Sequence, residues 1–165
     1  KKKQLDLLIA NVEKTIASME GRMKMSDKEK FEGFKQKMMD ENEKLYGKEI
    51  REKYGEDNVE NSYRKFKNMT KEQYDEAVRL ENEMQETLEA AFKTGDPAGE
   101  LAQKAADLHR RWLCCYWDNY TKEAHAVVAQ MYVDDARFTI YYDKKQPGLA
   151  AFLRDAVYVY TGMGK

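Results

Sequence analysis

Leu5, Ile9, Val12, Ile16, Met19 and Met23 follow one another at intervals of 4, 3, 4, 3 and 4 residues. Alternating fours and threes make a 3.5-residue repeat, the seam of a coiled coil rather than the stripe of a helix lying on a globular core. The pattern commits residues 1–25 to one helix whose apolar edge is fitted to another helix, expected to belong to a second copy. Leu8 widens the edge, and the acidic Asp6, Glu13 and Glu20 flank it. The opening KKKQLDLLIANVEK carries neither an initiator Met nor a helix cap. A heptad helix met in mid-course is expected to continue upstream of Lys1 in a longer protein.

Little else interrupts helix. Two prolines and nine glycines in 165 residues are few for an all-β chain, so the expected class is all-α. Ser26 and Glu29 form an S-x-x-E capping box that starts a helix at Asp27. Phe31, Phe34, Met38 and Leu45 line one face of it, Gly47 weakens it, and Ile50 and Tyr54 continue the face to Gly55. After EDN a short helix carries Val59, Tyr63 and Phe66. Residues 26–69 are mostly charged with thin apolar stripes, and such helices depend on docking for their stability.

From residue 70 the apolar positions are denser. Thr70 and Gln73 read as a second capping box, opening a helix with Ala77, Leu80, Met84, Leu88 and Ala91 that Gly95 stops. Asp96-Pro97 reads as an N-cap followed by a first-turn proline, so a helix over Pro97–Trp117 is expected. Thr121 caps the next helix, DDARFTIYYD gives a short helix or turn, and QPG opens the last helix before a frayed TGMGK. The chain therefore divides into 1–25, 26–69 and 70–165.

With 29 basic and 30 acidic residues, the chain lacks the excess of Lys and Arg that a nucleic-acid surface needs. No apolar run nears the roughly 20 residues of a membrane span, and the start does not resemble a signal peptide.

RRWLCCYWDNYTKEAH, residues 110–125, holds both cysteines, both tryptophans and one of two histidines. Cys114 and Cys115 are about 100° apart on a helix and cannot converge on one metal. Two histidines are too few for an ordinary zinc site. His109 and Cys114 point about 140° apart, which argues against a Cys–His nucleophile. Phosphate loops, G-x-S-x-G and H-E-x-x-H are absent. No catalytic residue, metal or cofactor is expected, and free thiols fit a reducing cytoplasm.

Eleven aromatic residues lie within the 49 residues from Trp112 to Tyr160. A core of this size does not need so many tyrosines, whose hydroxyls require partners when buried. One reading is a core with ordinary half-exposed rings, or a helical module that docks another protein without any small-molecule ligand. The sharper reading is an amphipathic cleft for a flat, hydrophobic, polar-edged ligand.

HAVVAQMYVDDARFTIYYD and PGLAAFLRDAV, with EIREKYG and SYRKFKNMTKEQYDE upstream, resemble the antibiotic-recognition domain of the TipA-type regulators, a branch of the MerR family. The leading heptad helix resembles the MerR dimerisation helix. The resemblance implies a homodimer paired through residues 5–23 and promoter DNA bound by an N-terminal winged helix-turn-helix that would precede Lys1. It implies a globin-like effector domain without haem that captures large hydrophobic antibiotics, thiopeptides in the type case. It further implies that residues 26–69 are loose without ligand and fold over the drug. The family's thiopeptide binder has a cysteine five residues before the position of His125; this chain has Tyr120 there. The expected cleft wall is Trp112, Tyr116, Trp117, Tyr120, His125, Tyr132, Phe138, Tyr141 and Tyr142, and the expected lid is Phe31, Phe34, Met38, Tyr63 and Phe66.

Overall fold

The computed structural model describes the backbone of residues 1–19 and 26–164, and the side chains of 1–16 and 26–164. All regular structure among the described residues is helical. The chain divides into two compact units, Lys1–Lys71 and Glu72–Lys165.

The first unit holds α1 (Lys2–Met19), α2 (Asp27–Tyr54) and α3 (Glu56–Lys67). The Ser26 box forms as its sequence dictates: Glu29 N–H donates to Ser26 Oγ at 3.2 Å and Ser26 N–H donates to Glu29 Oε2 at 3.1 Å. The helix runs unbroken through Gly47 to Gly55, whose φ of +85° ends it. Gly47 is tolerated because it is buried, and the Glu43 carboxylate lies where a Cβ would project. Arg51 binds Glu43, Glu56 and Glu60 and so joins α2 to α3. Lys35, only 2% exposed, donates to the backbone carbonyls of Lys67 at 2.6 Å and Met69 at 2.8 Å. It also pairs with Glu32 at 3.0 Å. A buried ammonium is tolerated here because every proton has an acceptor, two of them at the negative end of α3.

α1 packs on α2 through the face that carries Asn11, not through the heptad seam. Leu8, expected to widen the seam, is half-buried and lies between the seam and the packed face. Leu5, Ile9, Val12 and Ile16 are all exposed, between 47% and 57%. The side chain of Met19 and the whole of Met23 lie outside the described residues.

The second unit holds α4 (Lys71–Thr94), α5 (Glu100–Tyr116), α6 (Lys122–Asp134), α7 (Ala136–Asp143) and α8 (Leu149–Thr161). Its centre is α8, which packs on α5, α6 and α7. Leu149, Leu153, Ala156 and Val157 of α8 are inaccessible to solvent, as are Ala102, Ala105, Ala106 and Ala129 on the helices beside it. Small residues at these contacts let the helix axes approach closely. The α4 stripe Ala77, Leu80, Met84, Leu88 and Ala91 is buried as its spacing predicts. Thr121 and Asp135 cap α6 and α7.

Two boundaries differ from expectation. α5 begins at Glu100, three residues after Pro97, because Asp96 Oδ1 accepts from Ala98 N–H and closes a turn instead of capping the helix. The C-terminal TGMGK is not frayed over its described residues. Gly162 adopts the left-handed conformation, and Met163 and Gly164 N–H both return to the Tyr158 carbonyl.

Candidate functional site

α5 carries chemistry on two opposite sides. Trp112 and Tyr116 are one turn apart on one face; Asp107, Arg110 and Cys114 lie roughly half a turn around from them. The expected single aromatic wall is thus two clusters, one on each side of the helix, joined by a buried polar chain.

That chain consists of Tyr120, His125, His109 and Tyr132. Tyr120 Oη lies 2.7 Å from His125 Nδ1, His125 Nε2 lies 2.8 Å from His109 Nδ1, and His109 Nε2 lies 3.1 Å from Tyr132 Oη. Both imidazoles are inaccessible to solvent. Burial holds His109 well below the ordinary imidazole pKa, helped by the charge of His125, and takes His125 down to about 4, helped by Arg110. Both rings are therefore neutral at pH 7, and each offers one donor and one acceptor. If Tyr120 donates to His125, then His125 donates to His109 and His109 to Tyr132; reversing one bond reverses all three. Beyond Tyr132 lies Tyr142, its ring centroid 5.0 Å away.

Three of the expected wall residues lie in the interior: His125, Tyr132 and Tyr142 are buried, with rings packed on one another and polar atoms satisfied internally. No group of three or more His, Cys, Asp or Glu that could hold a metal occurs among the described residues.

Around Tyr120 the surface is polar. Tyr160 Oη accepts from Arg110 Nε at 2.8 Å and donates to Asp107 Oδ1 at 2.7 Å. The Arg110 guanidinium stands 5.9 Å over the Tyr120 ring, and Trp117 lies 6.4 Å from it on another side. Desolvation pushes the Tyr120 phenol up to about 12, with Tyr160 adding to the shift and Cys114 contributing less. Sequence reasoning missed Arg110 and Asp107; their i, i+3 spacing was the available signal.

On the opposite side Trp112 and Tyr116 meet edge to face at 5.5 Å. Trp112 Nε1 is buried and has no hydrogen-bond partner, alone in this among the described residues. Tyr116 is half-buried, its phenol pushed up to about 12 by desolvation and by Tyr74, Glu81 and Cys115. Tyr141, 52% exposed, donates to Glu81 at 2.7 Å and stands 5.1 Å from Tyr142. Phe138 is half-buried 5.5 Å from Tyr132.

The candidates of the first unit divide likewise. Phe31 and Phe66 are buried within it, and Tyr63 is half-buried and accepts from Asn42 at 2.9 Å. Phe34 and Met38 are exposed.

A family model of the TipAS antibiotic-recognition domain matches residues 46–160. The chain is 26% identical over 97% of its length to the HTH-type transcriptional activator mta of Bacillus subtilis (strain 168). It is 32% identical over 93% of its length to the HTH-type transcriptional activator TipA of Streptomyces coelicolor (strain ATCC BAA-471 / A3(2) / M145). It spans 62% and 60% of those two proteins. Among solved structures it matches TipAS from Streptomyces lividans in complex with nosiheptide, a thiopeptide antibiotic. That match has a TM-score of 0.59 and 33% identity, covering 85% of this chain and 96% of the other.

Proposed function

Because the chain belongs to the TipAS antibiotic-recognition domain family, we propose that its second unit binds a large hydrophobic antibiotic of the thiopeptide kind against the Trp112, Tyr116 and Tyr141 face, and that it does so as a sensor and not as an enzyme. The observation that carries this is the Trp112 indole N–H. It is buried and unpartnered beside rings that remain partly open. An orphaned buried donor is destabilising until an acceptor arrives, and a peptide-like drug is rich in carbonyl acceptors.

Residues 26–69 are the ligand-responsive segment of this reading, and α1 is the dimerisation helix. The exposure of Leu5, Ile9, Val12 and Ile16 supports pairing with a second copy. In a full-length regulator α1 would link the sensor to an N-terminal DNA-binding domain, as the HTH-type relatives imply, and drug binding would activate a promoter or sequester the drug in the cytoplasm. Such coupling requires that the two states of the protein bind the drug with different affinity. With Tyr120 engaged by His125 in place of a cysteine, capture is non-covalent.

Titration with nosiheptide tests the reading. Saturation should raise the melting temperature, in line with roughly 2.7 kcal/mol of stabilisation at a hundredfold excess over Kd. Trp112→Phe keeps an aromatic ring but loses the donor and the pyrrole ring's contact area, and should weaken binding at least about tenfold, or roughly 1.4 kcal/mol. No thermal shift with nosiheptide or other thiopeptides would refute the proposal.

A further inference from the structure

We infer that Tyr120, His125, His109 and Tyr132 form a two-state hydrogen-bond relay, with Tyr120 the donor in the ligand-free protein. It carries the state of the Tyr120 hydroxyl, on the Arg110 side of α5, to Tyr132, where α6 meets α7. The relay operates whether or not a drug occupies the Trp112 face.

Two arrangements of protons are open to these four residues. Each imidazole has two ring nitrogens, and every one of them faces a partner within 3.1 Å. Burial keeps both rings neutral at pH 7, so each carries one proton. If both tyrosines donated inward, the His125 Nε2 and His109 Nδ1 protons would point at one another across 2.8 Å. If neither donated, two lone pairs would meet in that gap. One phenol therefore donates and the other accepts. With Tyr120 as donor both rings are Nε2–H; with Tyr132 as donor both are Nδ1–H. Neither ring changes its tautomer without the other.

Bond lengths choose between the two states. Hydroxyl donors make shorter bonds than N–H donors, about 2.7–2.8 Å against about 2.9–3.0 Å. The Tyr120 end measures 2.7 Å and the Tyr132 end 3.1 Å. Tyr120 therefore donates, Tyr132 accepts, and both rings are Nε2–H. The ends differ in access as well. Tyr120 is half-buried, and His125 is the hydrogen-bond partner of its hydroxyl among the described residues. Tyr132 is buried, its ring 5.5 Å from Phe138 and 5.0 Å from Tyr142 of α7. An acceptor that draws the Tyr120 proton outward leaves His125 Nδ1 without a donor. Tyr132 then donates to His109, and all three bonds reverse. A two-state element biased from both ends is what coupling between two sites requires. The inner end lies beside the proposed drug face: the His109 ring is 5.7 Å from Trp112, and Tyr142 is 5.1 Å from Tyr141. A ligand on that face and a contact at Tyr120 therefore act on one another through a single arrangement of protons.

Nitrogen NMR of the histidine-labelled whole chain at pH 7 reads the relay directly. The chain has two histidines, and protonated and bare ring nitrogens resonate far apart. In the wild type both imidazoles should be Nε2–H. Tyr120→Phe removes the donor and leaves Tyr132 as the phenol that can supply one, so both rings should switch to Nδ1–H. His109, which makes no hydrogen bond to Tyr120, is the decisive reporter, because a merely structural loss at Tyr120 would leave its tautomer unchanged. Tyr132→Phe removes the acceptor at the far end and should leave both rings Nε2–H. Wild-type rings in unlike tautomers, both rings Nδ1–H in the wild type, or His109 still Nε2–H in a folded Tyr120→Phe overturns the inference. Should Tyr120→Phe fail to fold, the wild-type tautomers and Tyr132→Phe decide it: a switch to Nδ1–H in that variant is equally fatal. No drug enters the measurement, so its outcome is separate from that of the nosiheptide titration.

Discussion

Acid should unfold this protein through two residues. Its only histidines, His109 and His125, are both buried and neutral. In the unfolded chain each has the ordinary pKa near 6.5; in the folded chain both lie far lower. Below pH 6.5 the unfolded state therefore takes up protons that the folded state refuses, and stability falls as pH falls. For His125 the folded value of about 4 places the window between 6.5 and 4. One such group loses about 1.4 kcal/mol per pH unit, so His125 alone should remove roughly 2 kcal/mol by pH 5 and roughly 3 kcal/mol by pH 4. His109 adds in the same direction. Carboxylates held down by partners, such as Asp107 and Glu76, titrate below their ordinary range and contribute only at still lower pH. Urea unfolding at pH 7.5, 6.0 and 5.0 measures the slope. In His109→Gln/His125→Gln, which is less stable throughout, the slope between pH 6.5 and 5 should vanish. A wild-type stability that is flat over this interval would show that the imidazoles are protonated in the fold, and the neutral hydrogen-bond chain would be wrong.

The first unit and a turn of the second offer two further checks. Lys35→Ala strands the Lys67 and Met69 carbonyls beneath α2; it should cost about 2–4 kcal/mol and speed amide exchange over residues 56–70. Lys35→Met should recover packing but not the lost donors, so its stability should fall between those of wild type and Lys35→Ala. Gly148→Ala forces a side chain onto a φ of +90° at the start of α8. It should cost about 1–2 kcal/mol in thermal unfolding, and the cause is backbone strain, since the nearest Phe92 atom would be an ordinary 3.5 Å away.

Most helices were legible before any coordinate. Capping oxygens at Ser26 and Thr121, stops at Gly55 and Gly95, and the Ala77–Ala91 stripe all act within a turn or two of chain, and a helix is closed by bonds four residues apart. The start of α5 was misread for the same local reason: Asp96 has two uses for its carboxylate, a cap or a turn, and sequence does not choose between them. The aromatic surplus was visible too, but its division was not. Tyr141 and Tyr142 are neighbours in sequence, yet one is half exposed and the other sealed in the core.

The amino-acid order by itself determined the all-helical class, the punctuation between helices, the heptad seam of α1 and the crowd of rings after residue 112. Only tertiary packing decided that His109 and His125 meet across α5 and α6 and that Tyr132 and Tyr142 lie beneath them. Helical periodicity is written in bonds between near neighbours. Which two faces meet depends on how α4 to α8 fill space together, and that is a property of side chains far apart in the sequence.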